Sequence, residues 1–358
     1  MSTAVRRGTG RVVMAAVAAV ALAGLGACGG DGAKAGSGDA AGDAAPVTLR
    51  LGHFPNLTHA TPIVGVEKGF IAKEKLGKNV TLEVKTFSAG PQAVEALFSG
   101  AIDATYIGPN PTVNAFSQSK GKAVKVIAGA ASGGVALVVK PTITSPADLK
   151  GKKIATPQLG NTQDVAARYW LKKQGLSTTK EGGGDVAILP QENASAVDAF
   201  ASGAIDGAWV PEPFASRLVK AGGKVLLDER DLWPDRKFVI TNLLVSTEFL
   251  SKNREVVKQL VAGSVAANEW INANPTEAQK SLSDGLAKLT GKPLDLALTA
   301  EAWKSLTFLD DPLPATLRDG AKHAEEIGLL KPVDLNGLYD LSLLNEVLKD
   351  KGKPEIKA

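Results

Sequence analysis

A 24-residue pattern occurs twice in this chain, and it constrains the fold more than any other feature. Residues 93–116 read AVEALFSGAIDATYIGPNPTVNAF, and residues 196–219 read AVDAFASGAIDGAWVPEPFASRLV. The two align without a gap at an offset of 103, placing Ala93 on Ala196, Gly100 on Gly203, Asp103 on Asp206 and Tyr106 on Trp209. An offset of about one domain's length argues for two similarly built lobes rather than a short-period solenoid. Each copy begins with apolar residues at helical spacing and reaches a glycine suited to the left-handed position that ends a helix. A short apolar run follows, 101–107 and 204–210, which predicts a buried strand. Each run ends in a proline-rich turn, GPNP at 108–111 and PEPF at 211–214. Ligands of open α/β sheets sit beyond the carboxyl ends of strands. The two turns are therefore the first place to look for a site.

The first residues have a different character. Arg6, Arg7 and Arg11 precede or open an uninterrupted small and apolar run, 12–25, of signal-peptide length and too short to span a bilayer comfortably. The following LGAC, 25–28, resembles a bacterial lipobox, in which small residues precede a cysteine that is diacylated and becomes the new N-terminus. Residues 1–27 thus read as a signal peptide and Cys28 as a lipidation site; a plain secretory peptide with an incidental cysteine is the alternative. Cys28 is the only cysteine, so the mature monomer has no disulfide, cysteine nucleophile or cysteine-based zinc site. Residues 28–46 lack any large apolar side chain and read as a flexible tether. Losing residues 1–27 removes three arginines and no acids, so the net charge falls from +4 to +1. The lysines are dispersed and aromatics make up 5% of residues, which gives no nucleic-acid footprint.

The fold class predicted is α/β with two lobes: residues 47–134 plus 245–358 form lobe 1, and residues 135–244 form lobe 2. Lobe 1 opens with a strand (47–52), a turn (53–59), a helix near 61–70 and a strand at 79–87. The turn at 88–92 puts Pro91 in the first helical turn, so this helix presents free N–H groups. Lobe 2 carries a strand at 152–156 that runs into a turn and a helix at 165–173. Residues 135–140 and 238–245 read as two crossings between lobes, with a hinge and a cleft between them. Helices are expected at 253–272, 275–290, 298–305, 314–327 and 340–349.

FSAGPQ at 87–92, GAID at 100–103, SPADLKGKKIA at 145–155 and GAIDGAWV at 203–210 resemble, in this order, the substrate-binding proteins of ABC importers for aliphatic sulfonates, taurine and nitrate. Thiamine-precursor binders belong to the same broad group. The resemblance covers roughly residues 47–350. It implies a periplasmic-binding-protein fold with two crossings, a closing cleft, and delivery of a small anionic or zwitterionic solute to ABC permease subunits. It also implies an anion held against helix N-termini and small polar side chains, at Asn56, Thr58 and His59; Gly90, Pro91 and Gln92; Gly108 and Asn110; Asn161 and Thr162; and Trp209 to Glu212. No cofactor, metal or catalytic residue is implied. His53 stands where the family leads one to expect an aromatic.

The residues themselves leave alternatives. Glu212 could meet a ligand ammonium or pair with Arg217. Trp209 could wall a ligand or fill the core. Asp103 and Asp206 suit structural hydrogen bonding at strand starts, His53 and His59 are possible polar contacts, and His323 belongs to a surface helix. The same architecture also serves enzymes such as porphobilinogen deaminase, but that enzyme needs a cysteine for its cofactor. The solute expected is an aliphatic sulfonate or taurine, with nitrate, bicarbonate or a thiamine-precursor pyrimidine as alternatives.

Overall fold

The computed structural model describes residues 45–358. Residues 1–27, read as a signal peptide, Cys28 and nearly all of the segment read as a tether lie outside the described residues. Eleven strands among the described residues form two sheets. The first contains β1 (Val47–His53), β2 (Val80–Thr86), β3 (Ala104–Ile107), β4 (Val124–Gly133), β10 (Val239–Ser246) and β11 (Leu306–Phe308), in the order β11-β4-β10-β3-β1-β2. The second contains β5 (Val135–Val139), β6 (Lys153–Thr156), β7 (Ala187–Pro190), β8 (Gly207–Pro211) and β9 (Lys224–Asp228), in the order β9-β5-β8-β6-β7. In each sheet a parallel trio is followed by an antiparallel strand: β10 against β3, and β5 against β8.

The sheets match in register as well as order. Leu51 pairs with Ala104 in the first and Ile154 with Gly207 in the second, residues that differ by the same 103 as the sequence repeat. The duplication therefore extends well upstream of residue 93, to β1 and β6. The repeated run forms strand only over its last part, because residues 101–103 and 204–206 turn back onto the preceding helix. In copy 1 the N–H groups of Ala101 and Ile102 both donate to the Ala96 carbonyl; in copy 2 those of Ala204 and Ile205 donate to Ala199.

The apolar segments 135–140 and 238–245, expected as crossings, are interior strands. β5 pairs with β8 and β9, and β10 with β3 and β4. A strand of this kind must bury both faces, and only a place inside a sheet does so. The chain changes sheet at Gly133-Gly134, at the expected first boundary, and again across residues 229–238, ahead of the expected second one. Both glycines have positive φ, and a Cβ on either would stand 2.3 Å from Ser305 or Leu306. No other residue type satisfies both demands.

Six helices place the site: α1 (Ala60–Glu67), α2 (Gly90–Phe98), α3 (Pro109–Gln118), α4 (Thr162–Lys173), α5 (Asn193–Ala201) and α6 (Phe214–Lys220). The C-terminal helices include α7 (Pro275–Thr290), with further helices at Leu296–Trp303, Pro314–Glu326 and Ser342–Asp350, close to the spans the periodicity predicts. The α7 helix packs on α1, and its Leu282 and Leu286 share a core with Leu57, Ile63 and Val64.

Candidate functional site

The strands β1, β2 and β3 end where α1, α2 and α3 begin, and β6, β7 and β8 end where α4, α5 and α6 begin. None of the six N-cap residues closes its helix with a side-chain cap. Unpartnered N–H groups and aligned peptide dipoles give a helix N-terminus roughly half a positive charge. Several such ends meet in one cavity of about 20 Å³ whose wall contains no Lys, Arg, Asp or Glu.

Both halves of the repeat contribute to that wall in matched pairs. Phe54 and Pro157, Thr58 and Asn161, His59 and Thr162, and Gly108 and Pro211 each differ by 103 and all line the cavity. The fit across it is close. A Cβ on Gly108 would lie 2.5 Å from the Thr162 Oγ1, and one on Gly90 would lie 2.1 Å from Pro111 Cγ and 3.3 Å from Asn161 Oδ1.

The wall carries both donors and an acceptor, since Asn193 Oδ1 is buried there without a partner. Asn56 accepts the Thr58 hydroxyl at its Oδ1, 2.8 Å, which leaves its amide N–H₂ to the cavity. The Phe54 N–H donates to His59 Nδ1 at 3.3 Å, so a neutral ring carries its proton on Nε2. Neutrality follows from burial, which pushes His59 well below its ordinary value and His53 down to about 4. The Thr162 hydroxyl is buried and has no partner, and the first N–H groups of α4 stand beside it uncapped. Asp164 lies in the same helical turn, but its carboxylate is taken by Arg168 at 3.0 Å and by Thr156 and the Gly160 N–H. The arrangement can hold a small oxyanion by hydrogen bonds and helix dipoles without a counter-ion.

Other residues singled out in the sequence lie elsewhere. Asn110 donates to the Gly320 carbonyl at 3.1 Å, and its neighbours Pro109 and Pro111 have no N–H to offer. The Gln92 amide oxygen accepts from Ser88 N–H and Oγ at the head of α2, which leaves Ser88, and not Gln92, on the cavity wall. Pro91 is not on that wall either. Trp209 is wholly buried, stacked edge-on against Trp170, with its indole N–H donated to Glu229 at 2.6 Å; it is core. Glu212 is buried, yet it pairs with neither ligand space nor Arg217. Its carboxylate accepts the Ser216 N–H at 3.1 Å and hydroxyl at 3.0 Å, which closes the head of α6. Its backbone joins the two halves, N–H to Gly134 and carbonyl to Leu57. His323 stacks on Tyr169 at 3.7 Å, away from the cavity. Among the described residues no group of His, Cys, Asp and Glu could hold a metal ion.

The sequence reading missed Phe54, Ser88, Pro157, Gln163, Asn193 and Ile240, whereas Pro211, within its 209–212 stretch, does line the cavity. A signal for several was available. Carrying the offset upstream turns Phe54 into Pro157 and Gly90 into Asn193, so the repeat itself points to them.

Comparison with known proteins places the chain. Residues 42–286 match the NMT1-like family, and the chain belongs to it. It is 32% identical over 218 residues to the taurine-binding periplasmic protein of Escherichia coli (strain K12), covering 60% of this chain and 65% of that protein. The alkanesulfonate-binding protein SsuA from Xanthomonas axonopodis pv. citri, solved bound to MOPS, superposes with a TM-score of 0.65 at 22% identity, over 81% of this chain and 96% of that one. The nitrate-binding protein NrtA from Synechocystis PCC 6803 does so with a TM-score of 0.70 at 17% identity, over 87% and 92%. The two-sheet α/β architecture is the periplasmic-binding-protein fold.

Proposed function

We propose, taking membership of the NMT1-like family as premise, that this chain is the extracytoplasmic solute-binding component of an ABC importer. It captures a small oxyanion, an alkanesulfonate before nitrate or bicarbonate, and delivers it to the permease without chemistry of its own. The observation that carries the reading is the unpartnered Thr162 hydroxyl, set beside the uncapped head of α4 in a cavity lacking charged side chains. Relatives named for taurine and alkanesulfonate support the head group. Cys28 would retain the protein at the outer face of the membrane, through the acyl chains the lipobox implies and the tether behind it; among the described residues no helix is long and apolar enough to cross one. Cys28→Ser should release the protein from the membrane fraction, and unchanged retention would remove the anchor.

Binding requires the walls to part, since about 20 Å³ has room for little more than a water. Two lobes, one built on each sheet (47–133 with 239–358 against 135–228), would open about the connections at Gly133-Gly134 and 229–238, which moves the second boundary from 244/245 to before β10. The ion pairs that open with them, Lys173 to Glu326 at 3.0 Å and Lys220 to Asp295 at 2.8 Å, are exposed. Pairs of this kind contribute about 0–1 kcal/mol each, so little opposes opening.

Thermal-shift titration of the purified protein against propane-1-sulfonate, taurine, nitrate, bicarbonate and a hydroxymethylpyrimidine tests the reading, because a ligand of the folded form raises Tm by mass action. An alkanesulfonate should raise Tm, and Thr162→Val should weaken it roughly tenfold, the loss of about one charge-assisted hydrogen bond. A shift with the pyrimidine alone would sink the oxyanion site.

A further inference from the structure

A second cavity of about 340 Å³ adjoins the oxyanion cavity, and Phe54, Asn56, Ser88 and Asn193 belong to the walls of both. This antechamber lies between α6 and the end of α7. Its lining is largely apolar, with Phe214, Leu286 and Leu294 prominent, so it suits an organic tail leading away from the head group. Its charges are unequal: Arg217 and Lys292 against Glu192.

Arg217 is the unusual member. It is half-buried, and its guanidinium has no hydrogen bond or carboxylate partner among the described residues; its contact is with the face of the Phe214 ring, 5.4 Å from the centroid. Desolvation lowers its pKa and no nearby acid offsets the effect. A guanidinium left in this state is a site for an anion. Glu212, the acid nearest in sequence, is committed to Ser216 and lines neither cavity. Glu192 and Lys292 are exposed at the rim, where water screens them.

We propose that the antechamber holds the far end of a two-ended anion, a short aliphatic sulfonate carrying a second acid group, with Arg217 as the counter-ion of that second group. The inference rests on the oxyanion reading of the inner cavity and specifies the ligand further. It runs against a zwitterion such as taurine, whose ammonium would be brought to Arg217.

Calorimetric titration of the purified protein with three ligands of equal length separates the cases: propane-1-sulfonate, 3-sulfopropanoate and 3-aminopropane-1-sulfonate. The sulfopropanoate should bind roughly tenfold tighter than the propanesulfonate, as one charge-assisted contact at a half-buried site allows. Arg217→Gln should bring that ratio close to one, and Arg217→Lys should keep part of it. The melting temperature of each variant without ligand controls for folding. Equal affinity for sulfopropanoate and propanesulfonate, or a ratio that survives Arg217→Gln, overturns this inference and leaves the oxyanion site standing. Tightest binding of the aminosulfonate overturns it in favour of Glu192 as the reader of the tail. No binding of any of the three overturns both readings.

Discussion

The two copies of the repeat share a scaffold and diverge at its end. In both, the aspartate at the strand start donates its N–H to the carbonyl of the adjacent strand, Asp103 to Arg50 and Asp206 to Lys153, each at 2.8 Å. In both, the next strand runs to a turn at the rim of the cavity. There copy 1 has Gly108, which has no side chain and so allows Thr162 to approach from the other half. Copy 2 has Pro211 and then Glu212, whose backbone ties Leu57 and Gly134 together and whose carboxylate closes α6. Strand ends decide where a site lies. The residue just past each end decides whether that rim receives a ligand or fastens the wall around it.

The most direct way to break this comparison is to give copy 1 a side chain at the rim. Gly108→Val puts a β-branched group where even a Cβ would lie 2.5 Å from Thr162 Oγ1. Backbone strain is not the cause, because Gly108 has φ of −73°. Sulfonate affinity should fall by roughly a hundredfold or more, equivalent to about 3 kcal/mol, while the fold survives because the clash is relieved by parting the cavity walls. Calorimetry with circular dichroism on the same sample reads both. Retained affinity would mean that the ligand sits elsewhere.

A smaller effect sharpens the contrast between Tyr106 and Trp209, the matched residues of the two strands. Both are fully buried, but the indole of Trp209 requires an acceptor and takes Glu229, a buried carboxyl on the return connection. Burial pushes Glu229 up to about 7 from 4.5. Between those values the folded protein holds a proton that the unfolded chain has released. Stability from this group is therefore full below pH 4.5 and is lost as pH rises through about 7, by up to about 3 kcal/mol. Glu229→Gln keeps an oxygen for the indole and should flatten that part of the curve of stability against pH. An unchanged slope in denaturant melts between pH 5 and 8 would show that Glu229 is ionised throughout.

The sequence repeat made the fold legible because a strand after a helix, bounded by glycine and proline, leaves a mark at every position. Part of the site was legible for the same reason: Thr58, His59, Asn161 and Thr162 sit at helix heads that follow strands. Side-chain direction was not. Glu212 sits in the right turn, but Ser216 one helical turn later draws its carboxylate away, and sequence position alone does not weigh a ligand against a hydroxyl. Trp209 was open between wall and core because an apolar strand residue can face either way; Trp170, 39 positions earlier, decides it. The first boundary, 134/135, falls where the chain changes sheet, but the second crossing was misplaced because an apolar run marks burial, whereas the return is made by the polar connection 229–238 ahead of it.

The smallest expected effect concerns what the copies have in common. Asp103 grips Arg50 three times, from the backbone N–H and Nε at 2.8 Å and from Nη2 at 2.7 Å. Asp206 has only a single-point cation, Lys140 Nζ at 2.8 Å, with the Lys153 N–H at 3.0 Å. A planar fork meeting a carboxylate is held in more directions than an ammonium on a flexible stem, and Asp103 is the more buried of the two acids, 8% exposed against 22%. Asp103→Asn should therefore cost about 2 kcal/mol of stability and Asp206→Asn about 1 kcal/mol or less. Neither acid reaches the cavity, so sulfonate affinity should stay within about twofold in both, a change below about 0.4 kcal/mol. Equal losses of stability would show that the fork adds nothing over a point charge here. A loss of affinity in either variant would carry the influence of the repeat from the strand start to the strand end, and the separation of scaffold from site would fail.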